Sequence, residues 1–227
     1  MNADPLPPWA LANTVTAFAT VMSGLLCLAL TAVTRPQPRH WLAVYVGLVV
    51  TGVATVWYHG YGETFIAGVF DGGTNLLLAW LLQIAILGDY YAWRTAWIIG
   101  GGSALVNLGV TAWKLIVGPA IARQDVLSFG AFGGFHLNEL VLITDAFLVV
   151  ALFYFRRERI PASARPTLHL LTAVFVLGLL LATASNRQVD FGILAYHATW
   201  HLVAAFGFVV LWVFNLLRFA ADLHVGG

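Results

Sequence analysis

Residues 191–217, FGILAYHATWHLVAAFGFVVLWVFNLL, run twenty-seven positions between Asp190 and Arg218 without an Asp, Glu, Lys or Arg. At a rise of 1.5 Å per residue, a helix of this length spans about 40 Å, more than the roughly 30 Å of hydrocarbon in a bilayer. Four other stretches have the same character. Thirty uncharged residues separate Asp4 from Arg35, twenty-three separate Arg39 from Glu63, nineteen separate Arg94 from Lys114, and twenty-one separate Arg165 from Arg187. Two more apolar runs, about 65–87 and 135–155, carry acids: Asp71 in the first, Glu139 and Asp145 in the second. The expected fold is therefore an all-α membrane protein, a single seven-transmembrane helix bundle over residues 1–227. Its spans are expected at about 10–33, 41–61, 65–87, 95–116, 135–155, 166–185 and 191–216.

Composition agrees. Of the 227 residues 60% are hydrophobic and 9% are charged, against roughly a quarter charged in a soluble domain, so a soluble globular fold is excluded. The net charge of +1 offers no basic face for nucleic acid. A lone cysteine, Cys27, can form neither an intramolecular disulfide nor a thiolate metal site. The segment before the first span, with Asp4, Pro5, Pro7 and Pro8, lacks the positive charge of a secretory signal, and the first span is expected to be permanent.

Basic residues in short loops stay on the cytoplasmic side of a membrane. Arg35, Arg39, Arg94, Arg156, Arg157, Arg159, Arg165 and Arg218 fall on one side of the expected topology; Lys114, Arg123 and Arg187 fall on the other. Eight against three places the N-terminus outside or lumenal and the C-terminus in the cytoplasm. The abundance of arginine over a single lysine suits a bacterial plasma membrane, with an ER- or Golgi-type membrane as the alternative. The longest connection, about 117–134, is rich in glycine and joins spans 4 and 5 on the outer side.

Ionisable groups inside a bilayer are costly enough to be functional candidates. His197 and His201 stand four apart in the seventh span and project from one helical face, a spacing that can grip one metal ion. Taken alone the pair is weak evidence for a metal, and interfacial histidines beside Trp200 that bond neighbouring helices or headgroups are the more ordinary reading. The topology adds His59, near the outer end of span 2, and Asp71, about two turns into span 3, while His197 and His201 lie at a depth of about 8 to 15 Å. Three imidazoles and a carboxylate thus reach one level, which is the ligand set of a catalytic zinc with an open position for water. Thr55, one turn before His59, can donate to that water, to Asp71 or to an oxyanion; a hydroxyl bonded back to the Thr51 carbonyl is the alternative.

A hydroxyl residue four before a histidine in span 2, an aspartate in span 3 and His-x-x-x-His in span 7 resemble the seven-helix membrane hydrolase superfamily of alkaline ceramidases, progestin and adiponectin receptors and haemolysin III-like proteins. The resemblance covers the whole seven-span chain. It implies Zn2+ on His59, His197 and His201, Asp71 assisting the water, and Thr55 in the hydroxyl position, where serine is usual. An N-terminus outside is closer to the alkaline ceramidases. Their acidic N-terminal calcium site has no counterpart beyond Asp4, so no calcium dependence is expected.

The implied activity is zinc-dependent hydrolysis of a lipid amide within the membrane, with ceramide yielding a sphingoid base and a fatty acid. Hydrolysis of another acyl lipid and a receptor-like protein of the same superfamily are the alternatives. Haem electron transfer is disfavoured because one iron cannot take His197 and His201 on its two faces, and a retinal Schiff base because Lys114 lies in span 4. Glu139 and Asp145, six apart, face different ways; Glu139 can pair with His136 and Asp145 with a neighbouring helix. Asn75, Gln83 and Asn107 are expected as interhelical hydrogen-bond partners, and His40, His169 and His224 as interfacial groups. The arginine count has a direct check. A cysteine placed between Arg156 and Arg165 should resist an impermeant thiol reagent applied to intact cells, and labelling would reverse the orientation.

Overall fold

The structure, a computed structural model, describes residues 8–34, 37–61, 64–118, 126–128, 134–185, 190–191 and 194–223. Asp4, Arg35, Glu63, Arg123, Arg187 and His224 lie outside the described residues. Seven helices carry the chain: α1 (Pro8–Thr34), α2 (His40–Gly60), α3 (Phe65–Tyr90), α4 (Trp93–Val117), α5 (Leu137–Phe155), α6 (Arg165–Ser185) and α7 (Tyr196–Leu223). Each is long and apolar enough to cross a membrane. Without water to satisfy them, backbone N–H and C=O groups must bond within their own segment, which is why the apolar runs fold as helices. The chain is an integral multi-pass membrane protein.

The connections set the helix ends. α7 starts at Tyr196 rather than at 191, because Asp190–Phe191 and Leu194–Ala195 pair as two short antiparallel strands, and it runs on to Leu223. A second strand pair, Val126–Ser128 with Gly134–His136, lies in the connection between α4 and α5. Thr64 caps α3 by accepting from the Ala67 N–H at 3.4 Å. Gly118, at φ 69°, ends α4 in the left-handed region that glycine enters without strain.

α1 packs against α2 and α7, α2 against α3, α3 against α4 and α5, and α7 against α6. α1 and α2 meet backbone to backbone: a Cβ added at Gly52 would lie 2.7 Å from the Val21 nitrogen, and one at Gly24 3.0 Å from the Val49 nitrogen. The sequence of contacts runs α5–α3–α2–α1–α7–α6, and its two ends, α5 and α6, make at most sparse contact with each other. Among the described residues, the Tyr154 hydroxyl ties them by bonding His169 Nδ1 at 3.0 Å and Thr172 Oγ1 at 3.2 Å.

At the end of the bundle that holds Arg218, the polar groups form one buried network. The Asp89 carboxylate accepts from Arg218 at 2.7 Å and from the Trp41 indole at 3.1 Å, and contacts His40 Nε2 at 2.7 Å. His40 is thus an interhelical partner rather than a free interfacial group. Arg218 also donates to the Tyr90 hydroxyl and to Asn215 Oδ1, and its guanidinium lies 4.3 Å from the Phe219 ring centre, with Trp41, Tyr90, Phe153 and Phe214 around it. The sequence reading of Arg218 as a basic flank misses this role: its side chain is 5% exposed, and it joins α2, α3 and α7. Asn107 and Asp145 behave as expected, with Asn107 Nδ2 bonding the Leu76 carbonyl at 3.1 Å and Asp145 Oδ2 at 2.8 Å. Gln83 departs from expectation: it is buried, yet its Nε2 makes no hydrogen bond among the described residues.

Removing one partner of a buried ion pair strands the other charge, at a cost of about 3 to 5 kcal/mol. Asp89→Ala should therefore lower the thermal midpoint of the detergent-solubilised protein sharply, whereas the double change Asp89→Leu with Arg218→Met should recover most of it. A midpoint unmoved by Asp89→Ala would show that the pair does not hold the helices together.

Candidate metal centre

The opposite end of the bundle collects His59, His197 and His201. α2 delivers His59 in its last turn and the short connection to Phe65 returns the chain at the same end, so Asp71, seventh in α3, follows closely. α7 begins there too, with His197 as its second residue and His201 one turn on. The described residues contain one group of three ligand-type side chains close enough to hold a metal ion: His59, His197 and His201, whose candidate ligand atoms all lie within 4.8 Å of one another.

The rings are clustered, His197 edge to face with both others and His59 tilted against His201, with centroids 4.9 Å apart for His59 and His197, 5.2 Å for His59 and His201, and 4.7 Å for His197 and His201. Nε2 of His59 and Nε2 of His197 are 3.1 Å apart. Nitrogens bound at 2.0 to 2.1 Å to one tetrahedral ion stand about 3.3 Å apart, so this pair is already near the ligand spacing, and the third nitrogen, within 4.8 Å of both, needs a shift of at most about 1.5 Å.

His201 supplies the fit. It is buried, its Nδ1 lies 3.1 Å from Thr16 Oγ1, and its Nε2 has no hydrogen-bond partner among the described residues. A buried imidazole nitrogen without a partner is costly, and an ion shared with His59 and His197 would satisfy it. With its own hydroxyl donated to the Ala12 carbonyl at 2.8 Å, Thr16 Oγ1 can accept a His201 Nδ1–H, the tautomer that leaves the lone pair on Nε2 for an ion. Sequence reading missed Thr16. Nothing in span 1 marked it out, because the contact joins residues 185 positions apart.

Thr55 combines both roles expected of it. Its Oγ1 lies 2.6 Å from Asp71 Oδ1 and 2.9 Å from the Thr51 carbonyl, so the hydroxyl proton is shared between a carboxylate on the next helix and its own preceding turn. Asn75, expected as an interhelical partner, instead serves its own helix: Nδ2 donates to the Asp71 carbonyl at 2.9 Å and reaches Asp71 Oδ1 at 3.4 Å. Thr51 donates across to the Thr74 carbonyl at 2.9 Å. The Asp71 side chain is therefore positioned by two helices.

Below this cluster is a cavity of about 310 Å³. Thr55, Asn75, Glu139, His197 and His201 lie along it, and the rest of its wall is almost wholly apolar, including Leu142, Ile143 and Ala146 of α5 and Val174, Phe175 and Gly178 of α6. It follows the gap between the two helices that barely touch. Asp145 takes no part, being bonded to Ser103 and Asn107 on α4.

Fold and site together define a seven-helix integral membrane protein with a three-histidine cluster at one end of an intramembrane cavity. No protein-family model matches the chain and no curated protein matches it.

Elemental analysis of purified protein should find about one metal ion per chain, and His201→Ala should lose it. Thr16→Val should weaken metal binding by about 10- to 100-fold, while Thr16→Ser should preserve it. Equal metal in Thr16→Val and the parent would remove Thr16 from the site.

Proposed function

We propose that the protein is a zinc-dependent hydrolase of membrane lipid amides, with ceramide as the favoured substrate. The observation that carries this is the partnerless buried Nε2 of His201 beside His59 and His197, at the polar end of an otherwise apolar cavity. His59, His197 and His201 would hold the ion through ring nitrogens. Three neutral imidazoles leave a position open, and zinc bound in this way supplies polarisation of a carbonyl and of a water molecule.

The other steps belong to the chain. Asp71 takes the proton of the attacking water as the bond to the carbonyl carbon forms, and delivers a proton to the departing amide nitrogen as the C–N bond breaks. Thr55 and Asn75 hold Asp71 Oδ1 for this, so the carboxylate need not reorient between the two transfers. The apolar wall keeps acyl chains in surroundings like those of the bilayer, and the gap between α5 and α6 gives a lipid a sideways route that does not expose its chains to water.

Fatty acid release from ceramide by purified protein tests this directly. Asp71→Asn should keep its zinc and lose turnover by about a hundredfold to ten-thousandfold, since it removes a proton carrier and not a ligand. Near-parental turnover would reduce Asp71 to a structural partner. Zinc bound without any acyl-lipid hydrolysis by the parent would favour a receptor over an enzyme.

A further inference from the structure

Glu139 is the one Asp, Glu, Lys or Arg among the described residues lining the cavity. It stands third in α5, and its Oε2 accepts from the His136 backbone N–H at 2.8 Å in a reciprocal capping box. The box fixes the carboxylate at a helix N-terminus, where the backbone dipoles favour negative charge. The first turn of α5 also presses on α3 next to Asp71: a Cβ added at Gly72 would lie 2.7 Å from Asn138 Nδ2. The residue before Glu139 therefore touches the residue after Asp71, and the cavity acid is brought to the same end as the histidine cluster.

We propose that Glu139 sets headgroup specificity, accepting a hydrogen bond from the hydroxyl of an uncharged lipid headgroup and repelling a lipid that carries phosphate in that place. This rests on the lipid-hydrolase function above. A carboxylate can only accept, so it rewards a hydroxyl donor; in a cavity with apolar walls its repulsion of a second anion is poorly screened. Discrimination then comes from attraction to one headgroup and rejection of the other.

Displacement of a fluorescent ceramide analogue from the detergent-solubilised, zinc-loaded protein tests this, with ceramide and ceramide 1-phosphate as competitors. The parent should bind the phosphorylated lipid at least about tenfold more weakly than ceramide, and Glu139→Gln should narrow that gap by about tenfold. Glutamine can still close the capping box, so bound zinc and the thermal midpoint should stay at parental values. Glu139→Asp, which keeps the charge, should retain the discrimination. An unchanged gap in Glu139→Gln, with ceramide still bound, would overturn the role of Glu139 and leave the hydrolase function standing. A Glu139→Gln protein that loses zinc or melts early would mark the residue as a structural cap and overturn the proposal as well. If the parent binds neither ceramide nor its analogue, the hydrolase function fails and this proposal fails with it.

Discussion

Hydrocarbon offers no hydrogen bonds, and that constraint decides where every polar group of this bundle lies. The Trp80 indole donates to the Gly100 carbonyl, the Trp212 indole to Thr31, Asn107 to Leu76 and Asp145, and each bond ties one helix to another. Other hydroxyls turn back on their own helix, as Thr14, Thr111 and Thr144 do. In such surroundings a buried nitrogen without a partner carries information. His201 Nε2 is one of several buried polar atoms left unpaired, and it is distinguished by the two imidazoles beside it.

The two ends of the bundle use their polar residues differently. Around Arg218 most of the groups are paired with one another: cation, carboxylate, phenol, amide and indole bond together inside a cage of aromatic rings, with only the Arg218 Nε left without a partner among the described residues. Such an arrangement favours a fixed geometry over any exchange with a ligand. At the other end His197 and His201 lie along a cavity whose wall is mostly apolar. Close backbone packing between α1 and α2 gives the open end a firm wall, since Thr16 of α1 and His59 of α2 both belong to it. The loosely joined α5 and α6 border it.

Spacing in the chain was enough to find the seven helices, because a span is a local property: twenty or so residues without a charge must cross, and their ends fall where charges resume. The His197–His201 pair was legible for the same reason, as i and i+4 on one helix share a face whatever surrounds them. Alternation of direction between spans was enough to bring His59 and Asp71 to the same end. What the pattern could not give was the partner of each polar side chain. Asn75 looks like a link to another helix yet holds Asp71 on its own, His40 looks interfacial yet binds Asp89, and Arg218 looks like a flank yet is buried.

The sequence by itself determined the membrane-spanning helices, their number and which residues could meet at each end, because hydropathy and helical period act over a few turns. Tertiary structure alone decided that Thr16 fixes the His201 ring, that Thr55 shares its proton with Asp71, and that the site opens on an apolar cavity between α5 and α6. Those facts depend on which helix lies beside which and how each is rotated about its axis. In a bilayer nearly every face is apolar, so the hydrophobic pattern that reveals the inner face of a helix in water is too faint here to fix that rotation.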